Sequence, residues 1–346
     1  MQGSSFCNIN CNYCYVPERQ DKKTISFEHL ARLGQLIGSD DHDVCIVWHM
    51  GEPLTLGIPF FQKALTLIGN NEKVSHRIVT NGTLLSNRWF NFLVKNQIRL
   101  TISSDGPEAI HDKSRVRYNK KGTFSVVHQN LRKALSLKLC DTVLCTVSGH
   151  SLNNAFDIYH YFKKLRPPLI GINIEENYSL NSNYDLNRKA VKKFWEDLIQ
   201  VWIKDEDPLF IRDIYKILFI GLRNSNAEPD ELSFGENFSI SKSGLVYSSL
   251  PVIASSELEK KNTFLVGELN KIDSFSQVPI PLGVQYASES SAACSNKCNY
   301  FRYCGGAFIM EKLCEHNRFE VTQTEACYNK VISLKDCIEE RMCLSN

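Results

Sequence analysis

The chain has 346 residues and a formal net charge of +2, so there is no electrostatic case for nucleic acid as its main partner. With 43% hydrophobic and 23% charged residues the composition is that of an ordinary globular protein, and no apolar run is long enough to cross a membrane. Such a length suits one large α/β domain with an appendage, and thirteen cysteines without a secretory signal point to metal in a reducing, cytoplasmic compartment rather than to disulfides.

In chain order the first feature is a loop, Ser5-Phe6-Cys7-Asn8-Ile9-Asn10-Cys11-Asn12-Tyr13-Cys14-Tyr15, with cysteines at C-x3-C-x2-C spacing. Two short gaps bring three thiolates round one loop, close enough to bind three irons of a [4Fe–4S] cube. Fully ligated cubes use four thiolates, so one iron stays open to a small molecule. A structural zinc site competes, but zinc takes four N/S ligands. The nearest histidines, His42 and His49, lie far along the chain.

Beyond the loop, β-rich and helical runs alternate. Strands are expected over Val44–Trp48, His76–Val79, Ile98–Ser103, Thr142–Val147 and Ile170–Ile174. Helices are expected over Phe27–Ile37, Pro59–Gly69, Asn87–Asn96, Thr123–Leu137 and Asn154–Lys164. This is the pattern of βα units around a parallel sheet, and about six fit before residue 180, short of the eight of a closed barrel. Cys45, Cys140 and Cys145 fall in these apolar strands and read as buried packing residues.

From Asp185 to Lys204 a longer helix carries Val191, Phe194, Trp195, Leu198 and Trp202 on one stripe, a core spacing. Asp213, beside Arg212, is a candidate proton acceptor, with an exposed ion pair as the simpler reading. After Pro229 the periodicity weakens, and Phe238-Ser239-Ile240 and Leu245-Val246-Tyr247 read as a hairpin round Ser243-Gly244. The expected division is a barrel over residues 1–205, a bridging region over 206–235 and an appendage over 236–346. In the appendage Cys294-x3-Cys298-x5-Cys304 precedes Gly305-Gly306, and Cys314, Cys327, Cys337 and Cys343 follow. That is a metal pattern for which zinc and iron–sulfur compete.

Ligands of parallel α/β folds gather at the carboxyl ends of the strands. Four groups fall there: Trp48-His49-Met50-Gly51-Glu52-Pro53, Thr80-Asn81-Gly82, Ser103-Ser104-Asp105-Gly106-Pro107 with Asp112 and Arg115, and Asn173 to Glu176. Singly these are ordinary turn sequences; behind three clustered cysteines they form an ordered set.

The cysteine loop and these turns resemble the radical S-adenosylmethionine (radical SAM) enzymes. The resemblance implies a partial (β/α)6 TIM-like barrel and a cluster on Cys7, Cys11 and Cys14 whose open iron chelates SAM. Gly51, Glu52 and Pro53 stand in the Gly-Gly-Glu-Pro turn that contacts the SAM amino group, with Met50 replacing its first glycine. Asn81, Ser103, Asp105 and Arg115 are then placed to hold the SAM carboxylate and ribose. The C-terminal run resembles the SPASM-type extension of peptide-modifying members. It implies one auxiliary [4Fe–4S] cluster on Cys294, Cys298, Cys304 and Cys327, with Cys314 as the substitute and Cys337 and Cys343 spare. Phe308 stands where full SPASM domains have another cysteine, and none lies between Cys145 and Cys294.

The layout, including Asn173-Ile174-Glu175-Glu176 and the stretch from Lys312 to Cys327, is similar to maturases that install three-residue cyclophanes in ribosomally made peptides. The implied chemistry is reductive cleavage of SAM to methionine and a 5′-deoxyadenosyl radical, which takes hydrogen from a side-chain Cβ of the precursor. The carbon radical adds to a Trp, Phe or Tyr ring, and loss of a proton and of an electron to the auxiliary cluster restores aromaticity. A flavodoxin or ferredoxin is the expected reductant. With six residues before Cys7, the first barrel strand is expected to be very short or missing and no N-terminal peptide-recognition domain is expected. Leader binding then falls to the barrel–appendage surface or another chain. Thioether formation, epimerisation and formylglycine formation share the same front half, and a non-catalytic metal protein is the further alternative.

Overall fold

The computed structural model describes residues 1–39, 41–176, 186–223, 234–248 and 262–342. Strands β1 (Val44–Trp48), β2 (Val74–Thr80), β3 (Arg99–Ser103), β4 (Cys140–Val147) and β5 (Leu169–Ile174) pair in parallel in chain order as a curled half-barrel. Helix α1 (Phe27–Gly38) precedes the sheet, and α2 (Ile58–Ile68), α3 (Asn87–Lys95), α4 (Glu108–Ser114) with α5 (Phe124–Ser136), and α6 (Ala155–Leu165) make the crossovers. Ile78, Leu100, Ile102, Val143, Cys145 and Val147 are fully buried, as expected of parallel strands covered by helices. Beneath β1, Trp48, Phe61 and Trp89 meet edge to face at 5.1 and 5.6 Å between ring centroids.

About six units are expected before residue 180; the described residues there hold five parallel strands, and a sixth unit comes later, in reduced form. Ile211 makes a single parallel bridge to Ile170, and helix α8 (Arg212–Arg223) follows it, inside the stretch read as a bridge. At the other edge Met1 N donates to Val47 O at 2.6 Å and His49 N to Met1 O at 3.0 Å. Cys45 corrects its expectation: it is exposed, because the alternation that buries Ile46 and Trp48 turns it to the opposite face of β1. Cys140 and Cys145 are buried as expected.

Helix α7 (Arg188–Lys204) buries Val191, Phe194, Trp195, Leu198 and Trp202 between α6 and the helix Ser333–Met342; Asp185 lies outside the described residues. The hairpin is also present, as β6 (Ser239–Ile240) and β7 (Leu245–Tyr247), joined by β8 (Leu265–Glu268) into a three-stranded antiparallel sheet. Its Lys242 reaches back to the N-terminal segment, with Nζ 2.7 Å from Ser5 Oγ, 2.6 Å from Asp21 and 3.1 Å from Glu18. No helix among the described residues is long and apolar enough to cross a membrane.

Met50 explains its own departure from the Gly-Gly-Glu-Pro turn. It takes a left-handed backbone, φ 74°, yet its side chain is 4% exposed and packs with Tyr247, Phe264, Ile309, Met310 and Leu313 of the C-terminal region. The residue is thus a rivet between the half-barrel and its extension. Met50→Gly relieves roughly 1–2 kcal/mol of backbone strain but removes a buried side chain with an expected loss of about 2–5 kcal/mol. The variant is expected to melt below the wild type in a calorimetric scan.

Candidate functional site

The cysteine loop is fastened to the carboxyl ends of successive strands. After β1, Glu52 N donates to Phe6 O at 2.8 Å, and after β2 Asn81 Nδ2 lies 3.0 Å from Asn8 Oδ1 and 3.8 Å from Cys7 Sγ. Asn8 in turn donates to Thr83 Oγ1 at 2.8 Å. Past β3, Asn10 N and Asn12 N donate to Val116 O and Ser114 O at 2.7 and 3.0 Å.

Asp105 is the hub of this attachment. The residue is 2% exposed, and its carboxylate accepts from the Tyr13 hydroxyl at 2.6 Å and Thr146 N at 3.0 Å, while Arg115 Nε lies 3.0 Å away. The Arg115 guanidinium also stands over the Tyr13 ring at 5.4 Å. One carboxylate therefore links β3, β4, α4's end and the cysteine loop. Asp105 and Arg115, expected on the SAM ribose and carboxylate, are engaged with the loop, and Asp112 caps α5 by accepting from Thr123 N and Phe124 N at 2.7 and 2.8 Å. Ser103 ends β3, half-buried, opposite Leu144.

Gly51 and Glu52 serve the same attachment. Gly51 has φ 61°, and a Cβ there would lie 2.7 Å from the carbonyl oxygens of Phe6 and Ser4, so only glycine lets the loop approach. The buried Glu52 carboxylate accepts from Leu54 N at 3.0 Å, Thr80 Oγ1 at 2.8 Å and Asn81 N at 2.7 Å. Burial pushes its pKa up to about 7 against those three bonds. Pro53 opens the short helix Pro53–Leu56, for which Glu52 is the N-cap.

Burial pushes the Cys7 thiol up to about 12, with the charges of Glu52, Cys11 and Cys14 adding to it. It pushes Cys11 up to about 11, with Arg115 opposing and Cys14 adding. The three sulfurs thus feel one another in a site whose burial disfavours bare thiolates, and bound cations invert that balance. This donor set fits a cluster of irons. No three His, Cys, Asp or Glu among the described residues are spaced for a single metal ion.

In the extension, Cys294 lies in the last turn of the helix Leu282–Lys297, Cys298 caps it, Cys304 closes the turn Phe301–Cys304 and Cys327 closes Glu325–Cys327. Burial raises the Cys304 thiol, Cys298 and Cys294 add to it, and Lys312 opposes. Cys327 is pushed up to about 11, again first by burial, with Cys304 adding and Lys312 opposing. These four thiols therefore share one neighbourhood around Lys312. Cys314 is fully buried in the apolar cluster with Met50 and Phe264, Cys337 lies in the main core, and Cys343 lies outside the described residues.

Asp213 forms the ion pair foreseen for it, 2.9 Å from Arg212, and its Oδ2 accepts from Ile172 N at 2.8 Å, which ties it to β5. A different acidic group stands just past β5. Glu176 and Glu311 both pair with Lys330, the latter at 3.0 Å, and these three charges reach Tyr15, next to Cys14. Lys330 also stands over Phe308 at 4.7 Å. Tyr13, Lys242, Lys312 and Lys330 escaped the sequence reading because their partners are remote in the chain. A cavity of about 600 Å³ lined by Arg99, Arg132, Lys138 and Cys140 lies at the amino ends of the strands, away from both thiol groups.

His111, fully buried beside Asp105, supplies a pH dependence. The Thr123 hydroxyl donates to Arg115 O at 2.7 Å, so His111 Nε2 is its donor at 3.1 Å and Nδ1 accepts from Asp105 N at 3.3 Å. Both bonds need the neutral ring, and burial lowers the pKa to about 4. The folded protein then resists a proton that the unfolded chain takes near pH 6.5, so stability is lost as pH falls through that range. Between pH 7 and 5 the melting temperature should fall further for the wild type than for His111→Gln.

Residues 1–165 match the Radical SAM superfamily. The chain is 24% identical to an uncharacterized protein of Synechocystis sp. over 98% of its own length and 90% of that protein's. It is 28% identical to the cysteine-type anaerobic sulfatase-maturating enzyme of Clostridium novyi, spanning 58% of each. Among solved structures it resembles native anSMEcpe with bound AdoMet, with TM-score 0.81 at 21% identity over 99% of this chain and 95% of the other. It also resembles Streptococcus suis SuiB bound to precursor peptide SuiA, with TM-score 0.66 at 14% identity over 94% and 74%. At these identities the structural likenesses establish the fold, which covers the extension as well as the half-barrel. The superfamily match falls on the segment that carries the three-cysteine loop, residues 1–165, and the chain is an enzyme that works with a [4Fe–4S] cluster and S-adenosylmethionine.

Proposed function

We propose that the protein is a peptide maturase that joins an aromatic ring to a side-chain Cβ of a ribosomally made precursor, forming a three-residue cyclophane. The observation that carries the peptide-maturase reading is the pairing of two thiol groups in one fold. A three-thiol loop lies over the strand ends, and a four-thiol group sits in an extension riveted to the same turn by Met50. The fold it shares with SuiB, solved bound to precursor peptide SuiA, supports that reading. The stretches Asn173 to Glu176 and Lys312 to Cys327 support the cyclophane in particular by resemblance.

On this proposal Cys7, Cys11 and Cys14 hold the SAM-binding cluster, and Cys294, Cys298, Cys304 and Cys327 hold one auxiliary cluster. When bound, the first cluster and SAM supply a radical able to take hydrogen from an unactivated carbon. The chain's own residues do the positioning. Asp105, Tyr13 and Arg115 fix the loop, and Asn81 stands beside Cys7. Backbone at Gly51 and Pro53, with Ser103, borders the SAM site. Glu176 and Glu311, oriented by Lys330, are the carboxylates proposed to accept the ring proton, in place of Asp213. A flavodoxin or ferredoxin of the cytoplasm supplies electrons.

Co-expression with the small peptide encoded beside the gene, followed by tandem mass spectrometry, tests the reading. Loss of two hydrogens within an aromatic-initiated three-residue segment that resists fragmentation supports it. The same loss at a cysteine indicates a thioether instead. An unchanged peptide with deoxyadenosine still formed from SAM discards this substrate and keeps the radical chemistry.

A further inference from the structure

Lys312 is fully buried, a rare state for lysine. Its Nζ lies 2.7 Å from Ser290 Oγ, 3.1 Å from Cys294 Sγ and 3.2 Å from Gly306 O. The Ser290 hydroxyl donates onward to Phe319 O at 2.6 Å, so towards Lys312 it acts as an acceptor. Three acceptors thus meet the three N–H groups of an ammonium ion, and the head has no freedom to turn away. Among the described residues no carboxylate forms an ion pair with it. A buried ammonium without a counter-charge is strongly unfavourable, and among the described residues the Cys294 sulfur is the thiol in direct contact with it, where a bound cluster would supply negative charge.

The surroundings hold this contact in place. Gly306, φ 83°, approaches so closely that a Cβ would lie 2.6 Å from Ser291 Cα, and Ser291 Oγ donates to Gly305 O at 2.7 Å. The Gly305-Gly306 pair after Cys304 therefore presses its turn against the helix that carries Cys294, and the Gly306 carbonyl is delivered to Lys312.

We propose that Lys312 sets the reduction potential of the cluster held by Cys294, Cys298, Cys304 and Cys327, through a charge-assisted N–H···S bond to Cys294. This rests on the reading that those four thiols hold an auxiliary [4Fe–4S] cluster. A thiolate-ligated cube carries net negative charge that grows by one unit on reduction, so a fixed cation at a ligand sulfur favours the reduced form. Net charge and hydrogen bonds to the sulfurs are established determinants of such potentials. The position also distinguishes the ligands: Cys294 is the sulfur that Lys312 addresses, whereas Cys314 lies among apolar side chains.

The test uses the full chain with Cys11→Ala, so that the extension's cluster is titrated alone. Lys312→Met and Lys312→Gln are added separately; each removes the charge, and the second keeps a polar group near Ser290 and Gly306. Iron and sulfide are counted under anaerobic conditions, and the midpoint potential is read by EPR-monitored titration. The expected result is retained iron with an equilibrium for reduction about tenfold less favourable, a shift of about 59 mV to lower potential for one electron. An unchanged potential in a variant that holds its iron overturns the proposal, and so does loss of iron from both variants, which makes Lys312 a structural post. A Cys11→Ala parent with no iron in the extension is a distinct failure, of the auxiliary-cluster reading itself.

Discussion

Cys11→Ala should reduce formation of 5′-deoxyadenosine from SAM to background while the C-terminal thiols keep their iron. Each thiol of the Cys7, Cys11 and Cys14 loop is assigned to one iron, and the remaining iron must stay open for SAM. Losing a thiol therefore leaves a second iron without a protein ligand in a site already buried against the strand ends. Cys11 is the informative member. It is 8% exposed, Arg19 donates to its carbonyl at 3.2 Å, and Cys14 N donates to the same carbonyl at 3.3 Å, so the backbone should hold its course without the sulfur. The assay is anaerobic reduction with dithionite, chromatography of the nucleoside products and iron analysis on the same sample. About half of the iron is expected to remain if each ligand set holds one four-iron cluster. Cys314→Ala is the control and should keep both iron and cleavage. Full cleavage by the Cys11 variant would sink the ligand assignment.

Asp105→Asn is expected to be the most damaging change outside the cysteines. The carboxylate and Arg115 are almost wholly buried, with side-chain exposures of 3% and 8%. Neutralising Asp105 leaves the guanidinium without its counter-charge, and breaking a buried pair this way typically loses about 3–5 kcal/mol. At a few degrees per kcal/mol this is a fall in melting temperature on the order of 10 °C. Tyr13 loses its acceptor in the same step, so SAM cleavage should fall in the fraction that remains folded. Tyr13→Phe removes one hydrogen bond to a charged acceptor, an expected loss of about 1.5–3 kcal/mol. Replacing both partners, Asp105→Asn with Arg115→Met, should recover part of the loss, because no charge is then stranded. A single Asp105→Asn variant as stable as the wild type would show that the pair does not hold the loop.

Much of the half-barrel was legible in the amino-acid order because its strands and helices bury one consistent face. Val44–Trp48 was read to the residue, and the other strands and crossover helices differ only at their ends, where hydrogen-bond definitions and fraying shift boundaries. Short elements were not legible. Ile211 pairs through a single residue, and Glu108–Ser114 is too brief for its periodicity to stand out. The helix Leu282–Lys297 was hidden for another reason: its buried side is made of Gly283, Ala287, Ser290, Ser291 and Cys294, small residues that form no apolar stripe. Cys45 is exposed although its neighbours are apolar, because an apolar strand at the sheet's edge is not covered equally on both faces.

By itself the sequence determined the chemistry, since thiol spacing within a loop is a local property: C-x3-C-x2-C stays together however the rest folds. It likewise determined the order of βα units, because each depends on periodicity within a dozen residues. Only the tertiary structure decided how the polar residues behind that loop are used. Asp105 meets Tyr13 across 92 positions, Lys312 meets Cys294 across 18, and Lys242 meets Ser5 across 237. Such pairings depend on where the chain returns in space. A buried charge is tolerable only where its partner is delivered to it, and that delivery is the work of the whole fold.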